Sequence, residues 1–183
     1  MGTPTQDRRA QILIAAADLF ARRGYHGVSI GELGAAVGLT GPALYRHFRG
    51  KEDLLAEVLL DISVRLHDEG VRRAAESPDP LGALLDWHIA FALGNPSLIT
   101  VHERELDNVP APQRREVRRL QRAYLEEWVR VVGALNPRPE DQTRAAVHAV
   151  FGLLNSTPYS AVTLDPAAMS PLLRTMARAA LLA

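Results

Sequence analysis

Six side chains between Thr40 and Lys51 carry the donors that anionic oxygen attracts: Thr40, Tyr45, Arg46, His47, Arg49 and Lys51. A hydroxyl, a phenol, an imidazole, two guanidinium groups and an ammonium in so short a run suit the phosphates of a nucleic acid. Arg46 is long enough to reach either a guanine edge or a phosphate. The intervening apolar residues set the direction. Leu44 and Phe48, four apart, mark an inward helix face and turn Thr40, Pro42, Tyr45, Arg46 and Arg49 toward solvent.

That face needs a scaffold, and the residues before it supply one. Ser29 is a good N-cap, and Glu32 three residues later completes a capping box. The helix it opens runs to about Val37, burying Ile30, Leu33 and Val37, and Gly38 is placed to stop it in a left-handed conformation. Thr40 caps a second helix whose first turn holds Pro42, where a missing N–H costs nothing. A helix, a short glycine turn and a second helix with polar, aromatic and basic groups outward is the helix-turn-helix plan, whose second helix enters a DNA major groove. Gly31 and Gly34 sit inside the first short helix. Each costs about 1 kcal/mol relative to alanine. Their spacing is neither a dinucleotide fingerprint nor a P-loop, because no strand precedes it and no Gly-Lys-Ser/Thr follows.

The stretch LFARRGYHGVSIGELGAAVGLTGPALYRHFRGKEDLL resembles the N-terminal domain of the TetR/AcrR (tetracycline-repressor-like) bacterial regulators. The resemblance rests on Leu19-Phe20 before Gly24-Tyr25, Val28-Ser29-Ile30, Val37 to Thr40, Leu44 to Phe48, and Lys51-Glu52 with Leu54-Leu55. It implies an all-α fold of about nine helices, and the absence of catalytic motifs makes no enzyme activity expected. It also implies a homodimer on a palindromic operator, joined through the last two helices and released by a small hydrophobic or acyl-CoA-like effector. It places phosphate contacts at Ser29, Tyr45, His47 and Lys51, and base-edge contacts near Thr40, Gly41 and Pro42, where short side chains permit close approach. Gly34 stands where the family usually has alanine, which points to a very close helix approach. In the body, the resemblance makes Trp87, His88, Phe91, His102, Tyr124, Trp128, His148 and Asn155 the candidate lining of an effector pocket.

The charge distribution fits a nucleic-acid partner. Residues 1–51 hold seven Lys/Arg against three Asp/Glu, and residues 52–183 hold fourteen against eighteen, so a neutral total hides a basic head on an acidic body. Lys51 is the only lysine. Arg8 and Arg9, at the start of the first helix, read either as DNA-backbone contacts or as a solvated basic pair. The absence of cysteine excludes disulfides, cysteine-ligated zinc and thiol catalysis. No Gly-x-Ser-x-Gly or His-Glu-x-x-His occurs, and His102-Glu103-Arg104-Glu105 has the wrong helical spacing for a metal site. No run of about 18 apolar residues and no signal-peptide pattern is present, so a cytoplasmic protein without metal or cofactor is expected.

Along the chain, a polar tail (Met1 to Gln6) precedes a first helix from Asp7 to Arg23, with Ile12, Ala16, Leu19 and Phe20 on one face. Further helices are expected from Lys51 to Glu76, Leu81 to Leu93, Ser97 to Leu106, Gln113 to Leu135, Glu140 to Ser156 and Asp165 to Ala183. Proline-rich breaks lie between several of them. The Gln113 helix buries Val117, Leu120, Tyr124, Trp128, Val131 and Leu135, while its arginine-rich faces (Arg114 to Arg122) suit either solvent or an anionic group such as a coenzyme-A phosphate. Two domains are expected: a helix-turn-helix domain over residues 1–50 and a helical effector-binding and dimerisation domain over 51–183. A ligand-independent architectural DNA-binding protein fits the head but gives the large apolar body no purpose.

Overall fold

The computed structural model describes the backbone of residues 4–161 and 163–183, and the side chains of 8–161 and 163–183. It is all-α, with no strand among the described residues. The elements are α1 (Pro4–Arg23), α2 (Ile30–Ala36), α3 (Gly41–Leu44), α4 (Lys51–Glu76), α5 (Pro80–Gly94), α6 (Pro96–Arg104), α7 (Ala111–Leu135), α8 (Glu140–Asn155), α9 (Thr157–Ser160) and α10 (Pro166–Leu182), with a 3-10 turn at Leu106–Asn108. The nine expected helices are all here. The additions are the 3-10 turn and the single turn α9, which lies where the sequence shows only a Pro158 break. The first helix starts three residues earlier than its apolar pattern requires, so helix replaces part of the expected tail; Met1 to Thr3 lie outside the described residues.

Two compact units emerge. The first comprises the chain up to Ile62 together with Ser97–Val117; the second comprises Ser63–Pro96 and Arg118–Ala183. The boundary expected at residue 50 therefore falls inside the first unit, because α4 contributes Leu54, Leu55, Val58, Leu59 and Ile62 to the buried set there. The same unit buries Ile12, Ala16 and Phe20 of α1, Leu33 of α2, Leu44, Phe48, and Ile99 and Val101 of α6. Ile30 and Val37, expected inside, are only half-buried at the two ends of α2.

In the second unit α10 packs on α5 and α8. Asp79 caps α5 by accepting from Gly82 N–H at 3.1 Å, and Asp165 caps α10 by accepting from Ala168 N–H at 2.7 Å. Arg174 and Arg178 of α10 reach the Asp86 and Asp79 carboxylates at 2.7 and 3.2 Å. Leu173, Ala177 and Leu181 of α10 are buried, whereas Leu172 and Met176 on another face are 45% and 46% exposed. Leu135, expected on the buried stripe of α7, is 51% exposed because it is the last residue of that helix. No described helix is long and apolar enough to cross a membrane.

Candidate nucleic-acid interface

The turn between α2 and α3 is built by local hydrogen bonds that the sequence specifies. Ser29 Oγ accepts from Glu32 N–H, and Glu32 in return accepts from the Ser29 N–H at 2.8 Å and hydroxyl at 2.7 Å. These bonds, with the Ser29 hydroxyl contributing most and Arg23 adding its charge, lower the Glu32 pKa to about 2. At the other end Gly38 adopts φ +67°, its N–H bonds the Ala35 carbonyl at 3.1 Å and the Leu39 N–H bonds the Gly34 carbonyl at 2.8 Å, a Schellman stop. A Cβ on Gly34 would lie 2.8 Å from the Leu39 carbonyl oxygen, so the close approach expected at this glycine is real.

Thr40 Oγ1 accepts from Ala43 N–H at 3.3 Å and opens α3. Only four residues are α-helical, against an expected helix out to Phe48, because i→i+3 bonds from Arg46 and His47 tighten the following turn. The Phe48 N–H still closes on Leu44 O at 3.1 Å, so the expected facing survives. Leu44 and Phe48 are buried; Thr40, Pro42, Tyr45, Arg46 and Arg49 are exposed, Tyr45 at 55%. Ser29 is exposed, and Gly41 and His47 are half-buried.

The flanking cations behave differently. The Lys51 ammonium donates to the carbonyls of Tyr25 (2.9 Å) and Val28 (2.8 Å) and lies 4.2 Å from the Tyr25 ring centroid. An ammonium has three N–H groups, so one remains for a further acceptor. Arg8 and Arg9 are not a merely solvated pair. Arg8 donates to the Val37 carbonyl, and Arg9 to the His47 carbonyl at 2.8 Å while pairing with Glu57.

In the second unit the structure joins some of the residues expected around an effector and leaves others out. His88 is buried, its Nε2 3.0 Å from Asn155 Oδ1 and its Nδ1 3.5 Å from the Tyr124 hydroxyl. A neutral ring with the proton on Nε2 satisfies both contacts, donating to Asn155 and accepting from Tyr124. Burial lowers the His88 pKa to about 4, against the opposing bond to Asn155. Burial also raises the Tyr124 phenol well above its ordinary value. Trp128 packs edge-on against Phe151 with ring centroids 5.2 Å apart. Its buried indole N–H finds no hydrogen-bond acceptor among the described residues.

Trp87 and Phe91 form an edge-to-face pair on α5, and Trp87 Nε1 donates to Leu66 O at 3.3 Å. Phe151, absent from the sequence-derived set, stacks on Tyr124 at 5.7 Å and contacts His88 at 5.1 Å. Its signal was its place four residues before Asn155, on the same face of α8. Besides the separate Trp87–Phe91 pair, two more expected members are not in this cluster. His102 belongs to the first unit, and His148 is exposed on α8.

Residues 12–58 match the family model described as "Bacterial regulatory proteins, tetR family". FasR, a transcriptional activator of Mycolicibacterium smegmatis, is 43% identical over 56 residues, covering 31% of this chain and 26% of its own length. KstR2, a transcriptional repressor of Rhodococcus jostii, is 27% identical over 159 residues, covering 85% of this chain and 78% of its own. The chain thus spans about a quarter of FasR and more than three quarters of KstR2. Among solved structures, the regulator PfmR of Thermus thermophilus superposes with TM-score 0.81 at 25% identity, covering 98% of this chain and 97% of that one. FadR of Bacillus subtilis, in complex with stearoyl-CoA, superposes with TM-score 0.72 at 17% identity, covering 92% and 96%. The chain is thus similar to TetR-family transcriptional regulators, in sequence through residues 12–58 and in fold over nearly its whole length.

Proposed function

We propose that this protein is a homodimeric repressor that binds a palindromic operator and leaves it when a small hydrophobic or amphipathic effector is bound. The observation that carries the reading is the division of the recognition segment: Leu44 and Phe48 inside, Thr40, Pro42, Tyr45, Arg46 and Arg49 outside. Tyr45, His47, Ser29 and the remaining N–H of Lys51 serve phosphates; Thr40, Gly41 and Pro42 approach base edges; Arg46 reaches whichever the operator presents. Functionally, residues 1–50 form the reading head and 51–183 the effector-binding and dimerising body. The second copy docks on the α8 and α10 faces, where Leu172 and Met176 are exposed beside small residues such as Ala179 and Ala180.

The effector site is the neutral cluster of His88, Tyr124, Trp128 and Asn155 with Trp87 and Phe91 alongside, which offers aromatic area and a few oriented polar groups. Acyl-CoA chemistry is supported by the stearoyl-CoA complex of the structurally similar FadR and by the arginine-rich face of α7. The protein works in the cytoplasm, where operator and acyl-CoA are both present. Selection of bound duplexes from a random pool tests the first half of the reading. An inverted repeat with half-sites about 34 Å or a multiple apart is expected; binding without sequence preference would reject it. Titration with stearoyl-CoA, read by tryptophan fluorescence and by operator release, tests the second. Release with no change from Trp87 or Trp128 would move the effector site elsewhere.

A further inference from the structure

The recognition segment is too short to hold itself in place. One α-turn is all the regular helix it has, and a helix of this length is unstable alone. Its position therefore comes from its packing on the rest of the domain. Leu44 and Phe48 supply the apolar part of that packing. The polar part comes from α1.

Arg9 uses three features of one guanidinium group. Nη1 donates to the His47 carbonyl at 2.8 Å, Nη2 pairs with the Glu57 carboxylate on α4, and the guanidinium carbon lies 4.5 Å from the centroid of the Phe48 ring. Both terminal nitrogens and the flat face are thus engaged at the C-terminal end of the recognition segment, where orphan carbonyls and the helix dipole favour a cation. Swinging outward to a phosphate would forfeit all three contacts. Its neighbour repeats the arrangement one helix earlier, with Arg8 donating to the Val37 carbonyl at the end of α2.

We infer that Arg9 is a positioning residue for operator binding: it ties the end of the recognition segment to Glu57 of α4 and meets no phosphate itself. The inference rests on the reading of that segment as the element that meets DNA.

Glu57 separates this role from a phosphate contact by sign. If Arg9 met DNA, Glu57→Gln would free a cation, remove a repelling carboxylate and tighten binding. If Arg9 positions the segment, Glu57→Gln weakens binding. The measurement uses the full-length protein and a duplex enriched by the wild type from a random pool, with affinity followed over a range of salt concentrations. Glu57→Gln and Arg9→Met are expected to weaken binding by about tenfold with the salt slope unchanged, as for loss of a charged hydrogen bond. Arg9→Lys, which keeps the charge but not the planar fork, is expected to stay impaired. Tighter binding by Glu57→Gln, full activity of Arg9→Lys, or a slope reduced by about 0.9 in Arg9→Met would overturn the inference.

A second measurement needs no DNA. Amide exchange at His47 and Phe48, both bonded to Leu44 O, is expected to quicken several-fold in Glu57→Gln. Unchanged exchange overturns the positioning role whether or not the protein binds any duplex. Failure of the wild type to bind DNA would instead strike at the function proposed above. Should Arg9→Met fail to fold, the Glu57→Gln arm decides.

Discussion

His88 gives the second unit a measurable acid sensitivity. Its folded-state pKa of about 4 lies below the ordinary 6.5, with burial as the cause. The unfolded chain therefore binds the proton more tightly than the folded one, and the stability associated with the neutral ring is complete above about pH 6.5 and is lost as pH falls toward 4. At 1.36 kcal/mol per pKa unit, roughly 2–3 kcal/mol has gone by about pH 4.5. Urea unfolding of wild type and His88→Gln, at one protein concentration and at about pH 7 and pH 4.5, isolates this contribution. Exposed carboxylates such as Glu32 and Glu69, each with its pKa lowered to about 2, titrate in both proteins and cancel in the difference. The wild type should lose roughly 2–3 kcal/mol more than the variant over that interval. Equal losses in the two proteins would refute the neutral buried ring and, with it, the tautomer assigned from the Asn155 and Tyr124 contacts.

Three further outcomes follow from the geometry. Ser29→Ala removes the cap of α2 and should cost about 1 kcal/mol in thermal unfolding of the head, with the Glu32 pKa rising toward its ordinary value by carboxyl NMR titration. Lys51→Ala should both flatten the salt slope of operator binding by about 0.9 and destabilise the head by roughly 1.5–3 kcal/mol, since the same ammonium holds the Tyr25 and Val28 carbonyls; loss of stability with an unchanged slope would leave it a purely internal clamp. Leu172→Glu with Met176→Glu should halve the mass seen by light scattering while leaving helicity intact, because both side chains are exposed in the single chain.

How much of this was legible beforehand depends on the sequence distance of each interaction. The Ser29–Glu32 capping box, the Gly38 stop and the Thr40 cap close within a few residues, so residue identity at fixed offsets determines them. The apolar faces of α1, α4 and α7 follow from 3.6-residue periodicity for a similar reason. The pair Arg9–Glu57 spans 48 residues and His88–Asn155 spans 67. No local pattern joins residues so far apart; only packing does. Hence the aromatic residues of the body were visible as types, while Phe151 entered the cluster and His148 left it once α8 was oriented. The short α3 was unreadable for another reason: its second turn has helical spacing but i→i+3 bonds. The terminal exposure of Leu135 likewise depends on where packing ends rather than on periodicity, which continues to the last residue of α7.

Charge counting shows how far composition alone carries a nucleic-acid reading. Seven basic residues in the first 51 suggest a broad electrostatic grip. In the structure Arg8 and Arg9 bind carbonyls at the ends of two helical segments, Arg23 pairs with Glu32, and Lys51 directs two of its three N–H groups at the turn before α2. Arg22, Arg46 and Arg49 remain exposed, the last two on the outward face of the recognition segment. A head arranged this way turns two of its seven cations, Arg8 and Arg9, onto the carbonyl ends of short helical segments. Such helices cannot keep their shape by backbone hydrogen bonds alone. The electrostatic contribution to operator binding is then smaller than the composition implies, and a larger share of specificity falls on how firmly a one-turn helix is presented to the groove.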